Sequence, residues 1–207
     1  MINKIIFTLL FSLPLAACTL LGKVESSPVH TYMLTLPQSK APVLKKTSQV
    51  TVLVNPVDAA PAYQSTDMIY VDRPYEIKNF SLNRWAAPPA EMLTTLVSEY
   101  LAAHGCFRAV VVPPFAGETD LTLQTHLVML QQVFNQDTSQ IRMSIAMTLF
   151  NNHTQQISAF RRIEVTVPAA ASPYGGVAAA NKAAEIALSK IREAVCGLSS
   201  TSGESLE

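Results

Sequence analysis

Three runs in the second half of the chain alternate apolar and polar residues with a period of two. That period limits what the chain can fold into. Leu121, Leu123, Leu127 and Met129 alternate with Thr122, Gln124 and His126; Ile141, Met143, Ile145, Met147 and Leu149 with Arg142, Ser144 and Thr148; and Ile163, Val165 and Val167 with Arg162, Glu164 and Thr166. Successive side chains of a strand point to opposite faces, so each run reads as a strand with one apolar face. Together they predict an antiparallel meander that buries one face and wets the other.

Two segments with helical spacing can cover the apolar face. Pro88-Pro89 opens the first, as prolines do in a first turn, and Met92, Leu93, Leu96, Val97, Tyr100 and Leu101 recur on one side up to a capping Gly105. Ser172-Pro173-Tyr174-Gly175-Gly176 leads into the second, with Val177, Ala180, Ala184, Leu188, Ile191 and Val195 on one stripe, Lys182, Glu185, Lys190 and Arg192 elsewhere, and Gly197 as its stop. Shorter β-rich runs at 31–36, 50–54 and 109–112 read as strands, and 68–71 with 76–82 flank Asp72-Arg73-Pro74 as a hairpin. The predicted fold is α+β, a two-layer sandwich of a mainly antiparallel sheet with two helices packed on one face.

The amino terminus says where the domain works. Lys4, an apolar run at 5–13, Pro14 and then Leu15-Ala16-Ala17-Cys18 describe an export signal whose apolar part is too short to span a bilayer. Leu-Ala-Ala-Cys resembles the bacterial lipobox, which implies that Cys18 is acylated and becomes mature residue one. Several acyl chains on one residue anchor firmly, since each buried methylene adds about 0.8 kcal/mol. Thr19 stands where an Asp would resemble an inner-membrane retention signal. The expected site is therefore the periplasmic face of the outer membrane. The chain divides into a signal at 1–17, the lipidated Cys18 and tether at 18–29, a folded domain at 30–198 and a small polar tail at 199–207.

Composition excludes some functions. Losing 1–17 removes Lys4 alone, leaving 15 − 1 = 14 Lys plus Arg against 15 Asp plus Glu, and no basic footprint for nucleic acid. There is no Gly-x-Ser-x-Gly elbow, phosphate loop, His-Glu-x-x-His or close carboxylate pair, so the chain reads as non-enzymatic, without cofactor or metal. His30, His104, His126 and His153 are scattered, with His104 at a helix end and His126 on the polar strand face. With Cys18 taken by lipid, Cys106 and Cys196 remain, each near the end of a helix. They form a disulfide if the helices lie side by side in one direction; otherwise they are two buried thiols.

The segment 70–89 is harder to read as plain surface, because it interleaves aromatics with Arg and Asn and holds the sole tryptophan, Trp85. One reading is a hairpin whose aromatics cover the helix and sheet edge, with Trp85 buried and its N–H bonded to a loop carbonyl. The other makes Tyr70, Arg73, Tyr75, Arg84 and Trp85 a partner surface, Tyr, Trp and Arg being enriched at interface hot spots. Both hold together if Arg73 and Tyr75 point outward.

The lipobox at Cys18, the spacing of Tyr70 and Tyr75, the Asn83-Arg84-Trp85 triplet, Pro88-Pro89 opening a helix and the strand after Gly105 resemble the ABC-type transport auxiliary lipoproteins. Known types include the paraquat-inducible protein C lipoproteins and the auxiliary components of Mce-type lipid transporters. The resemblance implies an outer-membrane lipoprotein docked on a periplasmic Mce-domain protein, which an ABC permease and its ATPase serve from the inner membrane. On that reading acylated Cys18 tethers the domain while its wet sheet face or the 70–85 segment grips the partner. Direct lipid carriage fits less well, because the core uses the apolar residues. A structural lipoprotein of a secretion, pilus or polymer-export machine and an envelope hydrolase are the rival readings, and the number of copies, a homo-oligomer included, stays open.

Overall fold

The computed structural model of the protein describes residues 27–36, 49–104, 106–136 and 138–199. Cys18, the signal, most of the tether, Gly105 and the tail from 200 onward lie outside the described residues. The strands are β1 (His30–Tyr32), β2 (Thr51–Val54), β3 (Asp58–Ala59), β4 (Asp67–Arg73), β5 (Glu76–Trp85), β6 (Ala109–Val111), β7 (Leu121–Asn135), β8 (Thr138–Asn151) and β9 (Gln156–Ala169). The helices are α1 (Pro89–His104) and α2 (Pro173–Ser199), and a 3-10 turn spans Pro61–Tyr63.

β7 is the spine of the nine-stranded sheet. Along one edge it pairs antiparallel with β8, from Leu121 opposite Asn151 to Asn135 opposite Thr138, and β8 pairs in the same way with β9. Along the other edge it takes three short parallel partners in turn: β2 at 121–123, β3 at 126–127 and β4 at 132–133. β6 extends the sheet beyond β2, and the β4–β5 hairpin extends it beyond β4, with β1 parallel on the outer side of β5. The α+β architecture and its long antiparallel meander follow the periodicity. The sheet is nonetheless mixed, because the short strands pair in parallel with partners far away in sequence, which no local pattern records.

The core lies between the apolar sheet face and the helices. Leu123, Leu127, Met143, Ile145, Met147, Leu149, Ile163 and Val165 meet Leu93, Val97 and Leu101 of α1 and Leu188, Ile191 and Val195 of α2. Ala180, Ala183, Ala184 and Ala187 are fully buried, so small side chains let α2 approach β8 and β9 closely. On β9, the outer strand, Lys190 donates to the Glu164 carbonyl at 3.3 Å and Arg161 to that of Phe160 at 2.8 Å. Cations on an edge discourage pairing with another chain.

The structure corrects several details. Strict alternation puts Met129 on the apolar face, but a bulge between Leu127 and Met129 shifts the parity, so Leu130 and Gln132 are buried and Met129 is only half-buried. The first strand stops at Tyr32 instead of continuing to 36, because the Asn181 side chain takes over as ladder partner. It accepts from the Thr35 N–H at 2.6 Å and donates to the Met33 carbonyl at 3.2 Å. Gly197 does not end the last helix, which runs to Ser199. No described glycine has positive φ, so the left-handed cap that would use a glycine is absent there.

Candidate functional site

The 70–85 segment divides into an inner and an outer set. Tyr70 is half-buried, its ring 4.6 Å from that of Phe80 and 5.8 Å from that of Phe134, so it extends the core onto the hairpin. Trp85 is 4% exposed and lies in the core, while its backbone N–H donates to the Thr66 carbonyl at 2.8 Å. These two residues hold the hairpin in place. Arg73, Tyr75 and Arg84 are exposed, and Tyr75, at the turn between β4 and β5, is completely so. Tyr75 has φ 67°, a conformation that an aromatic residue rarely adopts. Around it Arg73 pairs with Glu76 at 3.0 Å and Lys78 with Asp72 at 2.9 Å. The hydrogen bond from Lys78 is the main reason the Asp72 carboxyl lies below, and the Lys78 ammonium above, its ordinary pKa.

The polar face of β7, β8 and β9 is left uncovered by the helices. Its middle carries a hollow of about 430 Å³, walled by Asn55, Asp58, Gln124, His126, Thr148 and the exposed ring of Phe160. His126 Nδ1 lies 3.1 Å from Asp58 Oδ2 across the β3–β7 pairing. The Ala59 N–H first, and His126 second, hold the Asp58 carboxyl below its ordinary value. Beside the hollow Arg162 donates to Ser144 at 3.2 Å. Sequence reasoning places His126 on this face but misses Asp58, which is 68 residues away and lies in a strand of two residues.

Two polar nodes brace this frame. Asp120 accepts from the Thr51 N–H at 2.7 Å and pairs with His153 at 2.8 Å, tying the start of β7 to β2 and to the β8–β9 turn. Buried Gln132 places Nε2 2.8 Å from Ser139 Oγ and 3.2 Å from the carbonyls of Ala170 and Ser172, joining β7, β8 and the approach to α2. At the end of the helices the sulfurs of Cys106 and Cys196 are in contact, with Cα atoms 5.6 Å apart. The Cys106 N–H points at Cys196 Sγ, at 3.2 Å. His104 stacks on Tyr100 at the end of α1. Among the described residues no group of three His, Cys, Asp or Glu is placed to hold a metal ion.

The family model for the ABC-type transport auxiliary lipoprotein component matches residues 32–191. Among solved structures the chain is similar to protein XCC0632 of Xanthomonas campestris, described under the family model DUF330, with 17% identity and a TM-score of 0.76 over 86% of this chain and 100% of that one. A second, described only as an uncharacterized protein, shares 13% identity and a TM-score of 0.65 over 82% of this chain and 99% of its own. At these identities the likeness is one of fold. No curated protein matches the sequence.

Proposed function

The chain belongs to the ABC-type transport auxiliary lipoprotein component family, and from that premise we propose that it is the non-catalytic subunit that docks an Mce-type lipid transporter to the outer membrane. Acylated Cys18 holds the domain at the periplasmic leaflet. The domain grips a periplasmic Mce-domain protein, which the inner-membrane ABC permease and its ATPase drive. The match over 32–191 carries this reading.

The geometry supports a docking role over lipid carriage. The apolar face of the sheet is consumed by two helices, and the cavity beside Trp85 and Leu130 measures about 10 Å³, space for one water at most. A lipid chain has no room there. The polar face instead offers a broad surface on rigid strands, with one exposed aromatic, Phe160, beside charged and amide groups. That mixture of a central anchor and polar surroundings suits a protein partner. Phe160, His126 and the exposed Arg84 are the contact residues in this reading, while Tyr70 and Trp85 act indirectly by fixing the hairpin. Cys106 and Cys196 form a disulfide in the oxidising periplasm.

Phe160→Glu places a charge on an exposed position of β9 and leaves the core untouched. The variant should remain folded and membrane-bound yet lose the Mce protein in cross-linking from whole envelopes. Undiminished cross-linking by this variant and by His126→Ala would remove the sheet face as the docking surface.

A further inference from the structure

The course of the chain shows which end of the domain looks toward the anchor. β1 is parallel to β5, with His30 opposite Asn83 and Tyr32 opposite Trp85. Followed backward from His30, the chain therefore leaves the sheet in the direction from Asn83 to Glu76, toward the β4–β5 turn. Cys18 lies 30 − 18 = 12 residues before His30, a reach of up to about 40 Å. The strand from Asn83 back to Glu76 covers 83 − 76 = 7 residues, roughly 23 Å. The tether is long enough to put Cys18 beyond the hairpin turn.

That end of the sheet displays apolar side chains to solvent. Tyr75 is fully exposed, and Ile77 beside it is 56% exposed. Near the turn Arg73 and Lys78 offset Asp72 and Glu76 through ion pairs, so the carboxylates there are neutralised. Tyr75 also keeps a positive φ where glycine or asparagine would sit without strain. An amphipathic ring with an apolar body and a polar hydroxyl suits the headgroup layer of a bilayer.

We propose that the β4–β5 turn is a membrane-contact element, seated on the same lipid surface that receives the anchor, with Tyr75 at headgroup depth and Ile77 behind it. The proposal rests on the reading that Cys18 is acylated. The strands then stand away from the membrane, the polar sheet face looks sideways to the partner, and the Cys106–Cys196 end lies farthest from the lipid.

The test uses the acylated full chain on phosphatidylethanolamine and phosphatidylglycerol vesicles, with and without brominated acyl chains. Trp85, buried in the core, provides the background in the parent protein. Tyr75→Trp adds a reporter at the turn, Ile77→Trp a second beside it, and Thr154→Trp a control in the β8–β9 turn at the opposite end of the sheet. The protein should float with the vesicles. The two reporters at the hairpin end should lose emission to brominated lipid and shift to the blue, while Thr154→Trp and the parent do not. Flotation without quenching, or equal quenching at both ends, would overturn the proposal and leave the anchor standing. An emission change at Tyr75→Trp only when an Mce-domain protein is added would make the turn a protein contact instead. Failure to float would remove the acylation premise, and the proposal with it.

Discussion

Asp120 shows how one carboxylate serves the fold. It bridges Thr51 and His153, and the Thr51 N–H, followed by His153, holds its pKa below the ordinary value. A carboxyl depressed in the fold binds its proton less tightly there than in the unfolded chain, so its contribution is complete above the ordinary range and disappears as pH falls through the depressed value. Asp120→Asn should lower stability by about 1 kcal/mol near neutrality, the side chain being part-exposed. The gap should close below about pH 4, as urea unfolding at the two pH values will show. The glycines give a second residue-scale pair. A Cβ at Gly176 would run into the Gln132 carboxamide, whereas one at Gly197 meets nothing. Gly176→Ala should therefore destabilise by about 1–3 kcal/mol, and Gly197→Ala should gain up to about 1 kcal/mol as an ordinary helical position; thermal unfolding separates them. Gln132 was hidden from the sequence, because a glutamine in an alternating strand reads as a wet-face residue and only the bulge at 128 turns it inward. Asp58 was hidden for a different reason: its partner His126 is set by a long-range pairing that a two-residue strand does not announce.

At the level of elements, what repeats locally was legible and what depends on distant pairing was not. The meander of β7, β8 and β9 and the buried stripes of α1 and α2 come from periods of two and of about 3.6 residues. The parallel joins of β2, β3 and β4 to β7 leave no such trace, and neither does the use of Asn181 as a substitute strand partner. The direction of the helices is the element-scale feature that carries a prediction. Both end at the same side of the domain, where the sulfurs of Cys106 and Cys196 meet. If they are bonded, Cys196→Ser should destabilise the oxidised protein by about 2–4 kcal/mol and make no difference once the parent is reduced. Denaturation with and without dithiothreitol reads both arms, and equal stability of parent and variant under oxidising conditions would mean free thiols.

At the scale of the molecule, the proposed role divides labour between an acylated anchor, a rigid sandwich and a polar face. Cys18→Ala should release the domain from the membrane without unfolding it, since the first strand begins at His30. Fractionation with a circular dichroism spectrum checks both halves of that statement. For the 70–85 segment the sequence offers both a buried Trp85 and a partner surface; the structure turns Tyr70 and Trp85 inward and leaves Arg73, Tyr75 and Arg84 outside. Hydrophobic and interface aromatics share one alphabet, so only the packing separates them. The central claim is attachment to an Mce-type transporter. Its most direct test is a mild-detergent pull-down of the acylated protein from its own envelope, with the co-purifying proteins identified by mass spectrometry. The expected catch is an Mce-domain protein together with an ABC permease. Recovery of a secretin, a pilus subunit or a polymer exporter in their place would contradict the claim.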